Sequence, residues 1–267
     1  MEFDRLDPGM ARGLLCLALL LAVPGTSAPV TAPSAVDWVA AGDAALGRLD
    51  LEGAAAAFRR AHEAAPDSYD AAWKLARALT DEATLSNDAA VQKRLCAEAE
   101  RLARHATRLD PVDSRGHDYL AISLGKLALT EGGKRKVELS KEVKAEAEWA
   151  LRCNPDDDLA LHVLAVWNRE MADLNWVLRK LAGVLYGKLP PASIDTAIAN
   201  LTRATVLRPE VIPHRVELGV TLAAARRWAE ARVELEKGLA LPTGWVTDDH
   251  YRALARATLL QVQAHLR

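Results

Sequence analysis

The chain has 267 residues, half of them apolar, and its 34 Lys and Arg nearly balance its 36 Asp and Glu. Because nucleic-acid-binding domains carry a marked excess of basic residues, this balance gives no reason to expect nucleic acid as the main partner. The seven histidines and three cysteines show no metal-ligand spacing, and there is no nucleophile motif or complete phosphate-binding loop. We therefore expect no catalytic, cofactor-binding or metal-binding residues.

Residues 1–28 are expected to form a leader. The apolar run at 13–28 has about the length of a secretory signal and is too short to span a bilayer comfortably. Translation from Met10 would give this run the basic start that export signals need. We expect either a cleaved signal peptide, with a periplasmic or secreted protein, or an uncleaved anchor that tethers the protein to a membrane. Residues 29–35 then form a short linker, and 36–267 form one domain.

The domain begins with a helical hairpin whose residues follow a fixed spacing. These residues are Trp38, Ala41, Gly42, Ala45, Ala54, Phe58, Ala61 and Pro66. The spacing is that of the tetratricopeptide repeat (TPR), a 34-residue pair of helices closed by a proline. Small residues at positions 8 and 20 are needed because two helix axes approach closely only where a side chain is nearly absent. The signature returns four more times, ending at Pro111, Pro155, Pro209 and near Pro242.

The fold class predicted from this repetition is all-α, a TPR-like solenoid of about five helical hairpins. The later prolines are more than 34 residues apart, and we assign the excess to longer loops at 81–90 and near Gly132, and to an inserted helix from about 173 to 191. Residues 248–266 predict a capping helix that covers the apolar flank of the last repeat, with Thr247 as its N-cap. Its predicted apolar face comprises Tyr251, Leu254, Ala257 and Leu260.

Two charged segments have ordinary structural explanations. The acidic turn at 156–158 is expected to cap the following helix, where the helix dipole favours negative charge, rather than to bind calcium. The basic run at 134–144 contains Glu138 and Glu142 at spacings that favour salt bridges, so we interpret it as a solvated helix face rather than an anionic-lipid site. Cys96 and Cys153 lie in different repeats and are expected to be two buried free thiols.

Four segments together carry a family resemblance. They are AAWKLARAL (71–79), HDYLAISLGKLALTEGGKRKVELSKEVKAEAEWAL (117–151), LALHVLAVWNREMADLNWVLRKLAGVLYGKLPPAS (159–193) and LEKGLALP (235–242). In this combination the chain resembles the regulator of microtubule dynamics family, over about residues 38–265. Eukaryotic members of that family are associated with microtubules and spindle poles, and some are membrane-anchored. The leader is typical of an exported bacterial homologue, so the resemblance implies a microtubule partner only for a eukaryotic, cytoplasmic chain.

The candidate binding surface is the concave face, which the first helices of TPR hairpins line. It combines an aromatic residue with charges of both signs, which suits a protein or peptide segment. In this interpretation Trp73 is an anchor, and the basic residues pair with carboxylates. The predicted groove comprises Trp73, Arg77, Asp118, Lys126, His162, Arg169 and Glu170. The alternative is that these charges pair across the groove and Trp73 lies in the core.

The sequence therefore predicts a non-enzymatic TPR scaffold that binds a protein or peptide segment in its groove and needs no cofactor. An alternative is a protein that binds a lipid or another apolar ligand in the hollow of the solenoid. Five apolar residues predicted to face inward favour this alternative: Val39, Ile122, Val166, Val216 and Val220. An enzyme would need a convergent polar pocket, for which the sequence gives no pattern.

Overall fold

The computed structural model describes residues 33–173, 183 and 190–267. The expected leader, the linker up to residue 32 and most of the expected inserted helix lie outside these described residues. Within them the chain forms eleven α-helices and no strand. The helices are α1 (Ala35–Gly47), α2 (Leu51–Ala64), α3 (Tyr69–Leu85), α4 (Ala89–Leu109), α5 (Ser114–Thr130), α6 (Gly133–Cys153), α7 (Asp158–Asp173), α8 (Ile194–Leu207), α9 (Ile212–Ala224), α10 (Trp228–Ala240) and α11 (Asp248–Leu266).

The first ten helices form five hairpins in chain order, α1 with α2 through α9 with α10, and each hairpin packs against the next. The second helix of every hairpin ends two residues before a proline, which cannot continue a helix. These prolines are Pro66, Pro111, Pro155, Pro209 and Pro242. The predicted solenoid of five hairpins is therefore confirmed. None of the described helices combines the length and low polarity needed to cross a membrane.

Small residues allow the two helices of a hairpin to touch, as the repeat spacing predicts. A Cβ atom added to Gly42 would lie 2.3 Å from Cε1 of Phe58, and one added to Gly219 would lie 2.5 Å from Cγ of Leu235. The residues at position 20 of the five repeats are all fully buried alanines: Ala54, Ala99, Ala147, Ala197 and Ala231. A larger side chain at these contacts would separate the helices.

The extra length of the second and third repeats is helical, so the prediction of longer loops is wrong. Helices α3 and α5 have 17 residues and α4 and α6 have 21, whereas α1 and α2 have 13 and 14. Only residues 86–88 and 131–132 separate the paired helices. The added turns bury Ala83, Leu95 and Leu139 in the core, and this burial favours helix over loop at these positions.

The capping helix α11 has the predicted bounds and packs on both α9 and α10. Its buried face is rotated from the predicted one, because Ala257 and Leu260 are exposed. The buried apolar residues are Ala255, Leu259 and Val262. Thr247 occupies the N-cap position without a capping hydrogen bond from its side chain.

The acidic turn caps the next helix, as predicted. The Oδ1 atom of Asp157 accepts hydrogen bonds from the backbone N–H groups of Leu159 and Ala160, both at 3.1 Å. These are N–H groups at the start of α7 that have no partner within the helix. Asp157 is itself buried and accepts a hydrogen bond from the Ser114 hydroxyl of α5, so the cap also links α7 to α5.

Two expectations about individual side chains are also confirmed, except that Cys153 is half-buried rather than buried. Glu138 lies 3.6 Å from Nζ of Lys134 and 3.7 Å from a guanidinium nitrogen of Arg135, so acidic residues interrupt the basic run with salt bridges. Cys96 and Cys153 are both free thiols, the first buried and the second half-buried.

Candidate functional site

The concave face is built from the first helices α3, α5, α7 and α9, each of which contacts the next. Three predicted groove residues occupy the same repeat position on these helices: Trp73, Asp118 and His162. Their exposed fractions are 6%, 2% and 9%. Each packs between its own first helix and the next one, so the prediction that these three side chains face the groove is wrong. The reason is that neighbouring first helices lie close enough to cover this position.

Trp73 belongs to the contact between the second and third hairpins. Its indole stacks on the ring of Tyr119, with ring centroids 5.8 Å apart and planes 17° apart. The indole Nε1 donates a hydrogen bond to Asp70 at 3.0 Å, and the guanidinium of Arg115 lies 5.0 Å from the ring centre. The alternative that Trp73 lies in the core is therefore confirmed.

Asp118 is a buried acid beside a second buried acid, Asp157. Burial, together with the nearby negative charge of Asp157, raises the pKa of Asp118 well above its ordinary value. Its Oδ1 atom has no hydrogen-bond partner within the described residues. Asp157 is better satisfied, since it also accepts a hydrogen bond from the Ser114 hydroxyl at 2.5 Å. We infer that the Asp118 carboxyl stays protonated at pH values where an exposed aspartate is ionised.

His162 forms part of a buried chain of hydrogen bonds between α7 and α9. Its Nδ1 lies 3.0 Å from Nδ1 of His214, and Nε2 of His214 donates to Asp158 at 2.7 Å. Burial, and then the proximity of His214, lower the pKa of His162 well below its ordinary value. When both rings are neutral, His214 carries its proton on Nε2, so His162 is the donor between the two Nδ1 atoms.

Arg169 joins the same two helices through an ion pair with Glu217. The two side chains are only 13% and 10% exposed. Arg169 also donates to the Thr221 hydroxyl at 3.2 Å and to the Glu170 carboxylate at 3.2 Å. Glu170, by contrast, is mostly exposed. The sequence left open the alternative that the groove charges pair with one another, and Arg169 does form such a pair.

The interior of the solenoid also holds Arg77, Asp81 and Lys126. Nε of Arg77 lies 3.8 Å from the carboxylate of Asp81. Burial raises the pKa of Asp81 to about 6, against the opposing effect of the two cations. Burial likewise lowers the pKa of Lys126, and the nearby Cys96, Asp81 and Glu217 oppose the shift. In the part of the chain that the structure describes, Lys126 makes no hydrogen bond or ion pair.

Sequence reasoning missed one residue of this interior, Glu217, and named a second, Tyr251, only as part of the apolar face of the capping helix. It assigned Val216 to the groove, but Val216 is fully buried and its neighbour Glu217 reaches Arg169 instead. Tyr251, from the first turn of α11, is half-buried, and its pKa is raised by burial and by the charges of Glu217 and Asp81. The sequence does contain a signal for Glu217, because it is an acidic residue surrounded by apolar residues on a first helix.

Charged groups from several different helices meet in this interior, and most of them pair with one another. Among the described residues, no group of three or more His, Cys, Asp or Glu side chains is placed to hold a metal ion.

Comparison with known protein families identifies the family to which the chain belongs. The family model described as regulator of microtubule dynamics protein 1-3 matches residues 43–263. The chain belongs to this family. The family resemblance seen in the sequence is thereby confirmed, over nearly the same range.

Individual family members from animals are similar over about half of the chain. Regulator of microtubule dynamics protein 3 of Xenopus laevis is 29% identical over 143 residues, which are 54% of this chain and 31% of that protein. Regulator of microtubule dynamics protein 1 of Homo sapiens is 30% identical over 138 residues, 51% of this chain and 44% of that protein. The chain thus spans less than half the length of these relatives. A Caenorhabditis elegans protein 1 is 25% identical over 182 residues, 68% of this chain and 80% of that protein.

Solved structures support the fold. A thermophilic TPR protein of Thermus thermophilus superposes with a TM-score of 0.63 at 16% identity, covering 85% of this chain and all of that one. The Cut9 and Hcn1 hetero-tetramer of the APC/C gives a TM-score of 0.62 at 16% identity, covering 88% of this chain and 37% of the matched chain. The chain is therefore a TPR-like helical-repeat protein of the regulator of microtubule dynamics family.

Proposed function

We propose that the protein is a non-enzymatic scaffold that binds a segment of another protein on its concave face, with Lys126 receiving a carboxylate of that segment. The observation that carries the proposal is the environment of Lys126. This side chain is half-buried in the interior, yet within the described residues it makes no hydrogen bond or ion pair. A cation removed from water without a partner is unfavourable, so a ligand carboxylate at Lys126 gains a charge-assisted hydrogen bond.

The other two predicted groove cations differ from Lys126. Arg169 is paired with Glu217 and Arg77 with Asp81, so these arginines already have carboxylate partners within the chain. A ligand that displaced them would have to break an existing pair. A ligand can bind Lys126 without breaking an existing ion pair. We therefore assign the specific contact to Lys126 rather than to either arginine.

The proposal is tested by replacing Lys126 and comparing the proteins that bind. The matched control is Lys136→Gln, because Lys136 is an exposed lysine on the outer basic run. Losing a charge-assisted hydrogen bond corresponds to roughly a tenfold loss of affinity, so we expect Lys126→Gln to deplete a specific bound protein to that extent. Capture from the native cell with quantitative mass spectrometry measures this. An identical set and amount of bound proteins for both variants would refute the groove assignment.

Binding of an apolar ligand is a second candidate. Four of the inward-facing apolar residues predicted from the sequence are half-buried on the first helices: Val39, Ile122, Val166 and Val220. They could line a hollow for a lipid tail, whereas Val216 is buried between α9 and α10 and could not. Native mass spectrometry of gently purified protein separates the candidates, since a carrier retains a stoichiometric small molecule and a scaffold does not.

We also propose that the scaffold acts outside the cytoplasm or at a membrane, on the basis of the leader predicted at residues 1–28. Under this proposal its partner is a protein of that compartment rather than a microtubule. N-terminal sequencing of the protein from its native cell tests the location. A new amino terminus near Ala28 supports export with cleavage, a retained leader in the membrane fraction supports tethering, and a cytosolic full-length chain contradicts both.

A further inference from the structure

The segment between α10 and α11, here called the crossing segment, reaches α3 of the second hairpin and lines a cavity together with the end of α1. The guanidinium carbon of Arg77, on α3, lies 4.8 Å from the centre of the Trp245 ring. Leu46 and Gly47, at the end of α1, line a cavity of about 170 Å³ together with Arg77, Trp245 and Val246. Residues far apart in the sequence therefore meet at one edge of the concave face.

Hydrogen bonds to α11, rather than contacts with the helices that it reaches, hold the conformation of the crossing segment. The buried carboxylate of Asp248 accepts hydrogen bonds from the backbone N–H groups of Gly244 and Trp245, at 2.8 and 2.9 Å. The guanidinium of Arg252 donates to the carbonyl of Leu241 and the hydroxyl of Thr243, both at 2.8 Å. The turn is thus preformed at the last hairpin, and Trp245 extends from it onto Arg77.

The contact of Trp245 with Arg77 is of a kind that a ligand can replace. A cation–π contact between partly exposed side chains is weak compared with the apolar packing that stacks the hairpins. Arg77 would keep its ion pair with Asp81 if the indole left. The cavity beside Trp245 also leaves space next to the ring. Opening this contact therefore requires no unfolding of a hairpin.

We propose that Arg77, Leu46 and Gly47 form an aromatic subsite of the concave face, which the chain fills with its own Trp245 until a partner segment inserts an aromatic side chain there. The inference rests on the proposed function and specifies the partner further. Arg77 and Asp81 are one helical turn apart, and Asp81 and Lys126 are close enough to affect each other's pKa. The matching partner is a protein segment that carries an aromatic residue for this subsite and a carboxylate for Lys126.

The chain itself supplies a probe with this chemistry. Residues 241–250, LPTGWVTDDH, contain one tryptophan and two adjacent acids. A synthetic peptide of this sequence competes with the tethered Trp245 in the unmodified protein. Because a site that is mostly occupied binds with an apparent affinity reduced by its open fraction, we expect Trp245→Ala to bind the peptide at least about fivefold more tightly. Isothermal titration calorimetry on the full chain measures the affinity.

Controls separate the subsite from general loosening of the fold. Trp149→Ala removes a partly exposed tryptophan elsewhere and leaves peptide affinity unchanged. Trp245→Phe keeps a ring on Arg77 and binds as weakly as the unmodified chain. A peptide with alanine in place of tryptophan gains nothing from Trp245→Ala. Equal affinity of Trp245→Ala and the unmodified chain for the tryptophan peptide would overturn the inference.

A second readout needs no substitution, and a further variant separates this inference from the proposed function. In the unmodified protein, saturating peptide displaces Trp245, so amide hydrogen exchange at residues 243–247 accelerates. Unchanged exchange contradicts the inference.

Lys126→Gln in the Trp245→Ala background reports on the carboxylate contact alone. If it leaves peptide affinity unchanged while the gain from Trp245→Ala persists, the subsite stands and Lys126 is not the carboxylate contact. If Lys126→Gln releases the native partner while Trp245→Ala changes nothing, the proposed function stands and the subsite fails.

Discussion

The indole of Trp73 stacks on the ring of Tyr119, with centroids 5.8 Å apart, and joins the first helices of the second and third hairpins. Because Trp73 is buried, we expect Trp73→Ala to reduce the free energy of unfolding by about 3–5 kcal/mol. Trp73→Phe keeps an aromatic ring there and loses the hydrogen bond to Asp70, so its effect is smaller. Urea denaturation measures both. A stability change near zero for Trp73→Ala would show that the side chain is not a structural contact.

Close helix packing predicts opposite effects for two glycine substitutions. In Gly219→Ala the new Cβ would lie 2.5 Å from Leu235, so the hairpin must shift, and we expect a loss of about 1–3 kcal/mol in unfolding free energy. In Gly125→Ala the nearest atom is Cγ2 of Val143 at 3.8 Å, an ordinary contact. Gly125 lies within α5, so alanine there is expected to stabilise by about 0.5–1 kcal/mol. Thermal and urea unfolding distinguish the two signs, and destabilisation by both variants would contradict the packing argument.

The hairpins could be predicted from the sequence because their contacts are local. Gly42 and Phe58 sit at fixed repeat positions, and Pro66 ends the second helix, so one 34-residue pattern contains all the information. The extra turns of α3 to α6 could not be predicted from this 34-residue pattern. Their burial depends on neighbouring hairpins, which the pattern of a single repeat does not describe.

The concave face was predicted less well, since its exposure depends on distances between hairpins. Trp73, Asp118 and His162 occupy a repeat position that was predicted to face the hollow, but here the next first helix covers them. Trp245 and Tyr251 lie outside the last repeat, so the repeat positions gave no reason to place them in the interior. Their position follows from the geometry of the whole solenoid.

Asp118 makes stability depend on pH in a defined direction. Its pKa is raised in the folded protein, so the folded state holds the proton more tightly than the unfolded chain does. The resulting stability is fully present below the unfolded pKa, about 3.9, and is lost as pH rises through the folded pKa. Asp118→Asn removes this loss. We therefore expect the variant to be more stable than the unmodified protein at pH 8, with a smaller difference at pH 5.

Asp156→Asn is the control for this comparison, because Asp156 is an exposed residue of the acidic turn that contains Asp157, the buried neighbour of Asp118. Urea unfolding at the two pH values measures each variant. A gain for Asp118→Asn that is equal at both pH values, or a loss of stability that grows with pH, would contradict the assignment of a protonated Asp118.

The buried pair of Arg169 and Glu217 predicts strong coupling between two substitutions. Arg169→Ala leaves the Glu217 carboxylate buried without its cation, so we expect it to reduce the unfolding free energy by about 3–5 kcal/mol, whereas Glu217→Ala costs less because Arg169 keeps its ion pair with Glu170. The double variant leaves neither charge unpaired. Its loss is expected to fall short of the sum of the single losses by at least about 1 kcal/mol. Additive losses in urea unfolding would show that the pair does not act as a unit.

If Lys126 contacts the partner as proposed, the bound partner shields its amine from modification, and amine footprinting of the captured complex measures this shielding. Sulfosuccinimidyl acetate modifies accessible lysines, and mass spectrometry gives the rate at each one. We expect modification of Lys126 to slow strongly when the native partner is bound, while exposed Lys136 reacts at the same rate with and without the partner. Modification of Lys126 at the same rate in the free protein and in the complex would show that Lys126 does not contact the partner.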